Sequence, residues 1–152
     1  EIRQILEDKR FDCCIYITVD TLSYLSKGGR ITPAVAAIGN LLKIRPIMNI
    51  DGGKLDLFAK ARTQAKAEKI MIDALRHDIE TRIDPQGHGD NVYVRIAHSN
   101  CLEEAEKLRE KLKAEFPGQE VRIVPLALSI ACHTGPGALG CGCVSKMVEK
   151  DA

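Results

Sequence analysis

The chain has 152 residues, 45% of them hydrophobic and 28% charged, and its 22 Lys and Arg against 21 Asp and Glu leave a net charge of +1. That length fits one domain with a real core, and the balanced charge gives no general pull toward nucleic acid or an anionic membrane surface. An aromatic content of 4% argues against a base-stacking platform, and no apolar run approaches the roughly 18 residues of a membrane span, so stable membrane insertion is not expected.

Glu1 opens directly on a helical pattern in which Ile2, Ile5 and Leu6 share one face, so residues 1–10 read as a helix. A start without methionine is expected of a piece cut from a longer protein. The run "CCIYITV" (13–19) reads as a buried strand. Its paired Cys13 and Cys14 behave as small hydrophobes there, and all six cysteines are expected as reduced thiols of a cytoplasmic protein.

Asp20 or Thr21 is positioned to cap a short helix carrying Leu22 and Leu25, which Gly28 and Gly29 end. A second helix restarts at Thr32, with Pro33 in its first turn and small residues along "PAVAAIG". Strands near 44–50 and 54–60 flank "DGG" at Asp51–Gly53, a hairpin signal. The longest helix is predicted from Thr63 to about Thr81, with Ala67, Ile70, Met71, Ala74 and Leu75 facing inward.

After the loop "DPQGHGD", a strand is predicted at 91–98 and a helix at 101–116, capped by Ser99 or Asn100. A further strand follows at 120–126 and a last one at 138–145. Helices and strands alternate around hairpins, so the expected fold class is α/β of the α+β type: one mixed sheet with helices packed on it, in a single domain, 1–152. The helices near 63–82 and 101–116 are expected on one face of that sheet.

The chemistry concentrates in "ACHTGPGALGCGC" (131–143), which brings a histidine, four glycines and three cysteines together. Four readings compete. A metal site would use Cys132, His133, Cys141 and Cys143, but C-x-C is not the usual C-x2-C knuckle, and neighbouring Cys132 and His133 would diverge in a strand. A thiol nucleophile needs an adjacent base, which sequence neighbours do not easily supply; His98 is a more distant candidate. A phosphate cradle would lack the G-K-[ST] signature, and Pro136 removes a donor. The last reading is a tight Gly135-Pro136-Gly137 turn that holds His133 at the edge of a cleft.

Three segments taken together carry a resemblance. "TLSYLSKGGRI" (21–31), "GNLLKIRPIMNIDGGKL" with "KARTQAKA" (39–67) and "HTGPGALG" (133–140) occur in this order and spacing, and with them the chain resembles the C-terminal domain of the DegV family of bacterial fatty-acid-binding proteins. The resemblance implies half of a two-domain carrier, with the N-terminal domain absent from this chain. Such a carrier holds a long-chain fatty acid and presents its carboxylate to a fatty acid kinase, without catalysis, cofactor or metal of its own. His133 matches the histidine that holds the carboxylate. Val35, Ile38, Leu42, Ile130 and Leu139 are the expected walls of an acyl tunnel. Arg30 and Arg62 are expected to dock the kinase, and Lys60 to be a solvated charge. The alternative is a thiol- or histidine-dependent hydrolase centred on His133.

Overall fold

The computed structural model describes residues 2–29, 44–51, 54–87 and 89–146. Their elements run α1 (Ile2–Lys9), β1 (Cys13–Thr18), α2 (Ser23–Lys27), β2 (Arg45–Asp51), β3 (Lys54–Ala61), α3 (Gln64–Asp78) and β4 (Val92–His98), then α4 (Leu102–Glu115), β5 (Val121–Pro125), α5 (Leu128–Thr134) and β6 (Leu139–Ser145). A π-helical turn, Ile79–Ile83, extends α3. The expected helix from Thr32, and the hairpin residues Gly52 and Gly53, lie outside the described residues.

The strands form one mixed sheet, as the sequence implied, and their order is β3-β2-β1-β6-β4-β5. All neighbours are antiparallel except β4 and β5, whose crossover through α4 makes them parallel. A bulge between Ile47 and Met48 shifts the β2–β3 register.

Alternation along the strands sorts side chains onto two faces. Cys14 and Tyr16 of β1, Val92, Val94 and Ile96 of β4, and Leu139, Cys141 and Cys143 of β6 meet α3 and α4 in the main core. Both long helices lie on this face, bound to each other by Lys111 on Glu68 and Arg76 on Glu115. Glu68 is nearly fully buried, and Gln64 donates to its other oxygen at 2.9 Å, so its charge is paired inside the helix–helix seam. A smaller core on the opposite face joins Ile17, Val19, Leu22, Leu25, Met48 and Ala138.

Two capping expectations are corrected. Helix α2 begins at Ser23, because the Thr21 hydroxyl accepts from Ser23 N at 3.2 Å and turns the chain before the helix starts. Helix α4 takes neither Ser99 nor Asn100 as cap. Asn100 instead has a positive φ of 53°, and the imidazole Nδ1 of His98 accepts from Cys101 N at 3.3 Å. Helix α3 starts as expected, with Thr63 Oγ1 accepting from Lys66 N at 3.2 Å.

Candidate functional site

Among the described residues, the sheet face opposite the long helices is only partly covered. Three rows of side chains cross it from β1 through β6 to β4: Cys13, Val144 and Tyr93; Ile15, Gly142 and Arg95; Ile17, Gly140 and Ala97. The two glycines remove side chains from the central strand, so the floor is lower there than on either side. At about 3.3 Å per residue, these rows extend roughly 13 Å along the strands.

The alternation explains the cysteines of "GCGC". Cys141 and Cys143 point to the helix side, where Cys143 Sγ lies 3.6 Å from Cys14 Sγ, while Gly140 and Gly142 face the open side. The hydrogen bond to Cys143, together with burial, pushes the Cys14 thiol well above its ordinary value, and burial does the same to Cys141. These are packed, protonated thiols.

Over the floor lies a cavity of about 630 Å³, within the ~300–1,000 Å³ usual for small-ligand sites. Its walls are almost wholly apolar. Ile15, Ile50, Tyr93, Ile130 and Val144 border it and remain between 43% and 48% exposed, an unusual concentration of half-covered apolar side chains.

One end of the cavity is closed by α5, which contributes Ile130, His133 and Thr134. The segment 131–134 was expected as part of a loop; it is the second half of this short helix. The GPG turn follows, with Gly135 at φ 77° and Gly137 at φ 80°, values that disfavour residues with a Cβ. Gly135 leaves room for the ring of Tyr24 and Gly137 for the carboxylate of Asp20, while Gly137 N donates to Ser99 O at 2.7 Å. The imidazole of His133 sits against Gly28, where a Cβ would collide with Nδ1. His133 is thus clamped between the end of α2 and the cavity, and its ring makes no hydrogen bond among the described residues.

Of the candidates from the sequence, His133 and Ile130 both border the cavity. Leu139 does not: it is fully buried in the helix-side core, because the alternation of β6 turns it away from Gly140 and Gly142. Arg30, Val35, Ile38 and Leu42 lie outside the described residues. Arg62 is exposed just beyond β3, as is Lys60 within it. Tyr93, Arg95, Ala97 and the two β6 glycines were not singled out; the signal for them was the period-two pattern of "VYVRIAH" set beside "GCGCV".

Among the described residues, the side chains needed for the other chemistries do not converge. Cys132 is exposed on α5 and its thiol faces Ser129 O at 3.5 Å, away from Cys141 and Cys143. Among the described residues, no three His, Cys, Asp or Glu side chains are grouped as a metal would require. No described thiol hydrogen-bonds a histidine side chain; that of Cys101 faces Ala138 O at 3.2 Å.

The model of the family described as "Uncharacterised protein, DegV family" matches residues 1–146. The DegV domain-containing protein CPE0026 of Clostridium perfringens is 37% identical over 140 residues, 91% of this chain and 46% of its own length. The crystal structure of a fatty acid binding DegV family protein, SAG1342 from Streptococcus agalactiae, superposes with a TM-score of 0.82 at 29% identity, covering 95% of this chain and 49% of that one. DegV of Bacillus subtilis, described as a fatty acid binding protein, gives a TM-score of 0.77 at 34% identity, with 95% and 49% covered. The chain thus spans about half the length of the relatives it matches.

Proposed function

The chain belongs to the DegV family, and on that premise we propose that it is the lipid-holding half of a two-domain fatty acid carrier. The observation that carries this reading is the apolar cavity laid along the open sheet face, with His133 at the end closed by α5. An acyl chain asks for a long apolar floor, and a carboxylate asks for a few convergent donors. The cavity offers the first, and His133 Nδ1 or Nε2 offers one of the second. The naming of two structural neighbours as fatty acid binding supports the same ligand class.

In this reading His133 donates to the fatty acid carboxylate, the partner domain of the longer protein supplies the remaining donors, and Ile130 packs on the acyl chain. The carrier has no catalytic residue and needs no metal or cofactor. It works in the cytoplasm and presents the carboxylate to a fatty acid kinase, which docks on basic residues: the exposed Arg62 and, from the sequence, Arg30. The test is direct: extract the purified full-length protein and examine the extract by mass spectrometry. Co-purified long-chain fatty acid, replaceable by added fatty acid, is the expected result. A protein that carries none and takes up none on titration contradicts the reading.

A further inference from the structure

Two adjacent glycines end α2, and they stand there for different reasons. Gly29 has a φ of 64° with open space where a side chain would go, so its backbone conformation calls for glycine. Gly28 has a φ of −78° and a ψ of −6°, a right-handed geometry with no positive φ to favour glycine. Its N–H donates to Tyr24 O at 2.9 Å, as in any last helical turn. Alanine at 28 would fit that backbone and reduce the entropy of the unfolded chain. What calls for glycine at 28 is His133: a Cβ there would overlap Nδ1 of the imidazole and lie 3.2 Å from its Cε1.

Residues 24 and 28 share one face of α2, and both meet the end of α5. The Tyr24 ring occupies the hollow left by Gly135, and the His133 ring occupies the hollow left by Gly28. Each element thus offers a ring to the other's glycine, at the end of the cavity that His133 borders. The backbone of Gly28 is tied at both sides, by its own bond to Tyr24 O and by Gly29 N donating to Ser26 O at 3.1 Å. If a Cβ were added, the imidazole would be the part to yield, since it ends a side chain with two rotatable bonds. Resting on the carrier reading above, we infer that Gly28 is a positioning residue of the fatty acid site: its missing side chain lets His133 hold its imidazole at the cavity.

The test is a double-mutant cycle in the full-length protein, with Gly28→Ala, His133→Ala and their combination, read by stearic acid titration and by thermal unfolding. Gly28→Ala is expected to weaken binding about ten-fold or more, the scale of one hydrogen bond to a charged group, at a melting temperature that does not fall. With His133→Ala already in place, an alanine at 28 has no ring to displace. It should then raise the melting temperature and cost no further affinity. Gly29→Ala, the conformational control, should lower the melting temperature in both backgrounds. An affinity loss from Gly28→Ala that persists undiminished without the imidazole, or no loss with the imidazole present, overturns the inference while leaving the carrier reading standing. Failure of the unmodified protein to bind stearic acid defeats both.

Discussion

His133 and Asp84 show two ways in which a single side chain matters here. The His133 ring is held by packing against Gly28 and has no protein partner among the described residues, so its loss should cost binding more than stability. His133→Ala is expected to keep the melting temperature and to weaken fatty acid binding about ten- to a hundred-fold, the range for one hydrogen bond to a carboxylate; isothermal titration alongside thermal unfolding separates the two effects. Asp84 is the opposite case. Its carboxylate accepts from Gly87 N, Gly89 N, Asn91 N and Asn91 Nδ2 at 3.0–3.2 Å and ties the loop before β4. Burial alone would raise its pKa, but these bonds outweigh burial and hold it below the ordinary carboxylate value. A lowered folded pKa contributes stability above the unfolded value near ~3.9 and loses it as pH falls through the folded one. Asp84→Asn should therefore cost about 1–3 kcal/mol at neutral pH, and the gap to the unmodified protein should close in acid. A gap that persists at low pH would mean the charge is not what ties the loop.

Strand β6 is the element whose pattern carries most of the account. A Cβ on Gly142 would press on the Cys14 carbonyl of the neighbouring strand, whereas one on Gly140 would lie 3.0 Å from Tyr16 O, a tight but smaller intrusion. Replacing a strand glycine by alanine normally gains about 0.5–1 kcal/mol of chain entropy. Overpacking against backbone costs about 1–3 kcal/mol and should win at Gly142. Gly142→Ala is thus expected to lower stability in denaturant unfolding, and Gly140→Ala to cost less. Equal effects would show that the two positions are not distinguished by their neighbours. Element types were legible in the sequence because periodicity and the Thr63 cap are local signals; the common face of α3 and α4, also expected, holds in the structure. Helix α5 was not, because seven residues beside a Gly-Pro-Gly turn carry the composition of a loop. Nor was the side on which Leu139 falls, since its face follows from the pairing of β6 with β1 and β4, which no local pattern fixes.

At the scale of the whole molecule, the long helices close one sheet face, and among the described residues an apolar cavity lies on the other. The family was readable from the sequence as a resemblance, but the floor of the cavity was not, because it is assembled from three strands far apart in the chain. The proposed docking of a fatty acid kinase is a separate claim from the cavity: if it holds, Arg62→Glu, an exposed site beyond β3, should leave fatty acid affinity within about two-fold while slowing phosphorylation of the bound acid, because a surface charge acts chiefly on encounter. Equal kinase turnover for both proteins would remove Arg62 from the docking surface. The most direct test of the central claim is to fill the floor. Ala97 lies on it beside Gly140, and a phenylalanine there would occupy the space assigned to the acyl chain without entering the helix-side core. Titration of stearic acid into the full-length protein is expected to saturate stoichiometrically in the unmodified form and to fail in Ala97→Phe at an unchanged melting temperature. Undiminished binding by a folded Ala97→Phe protein would put the fatty acid somewhere other than this sheet face.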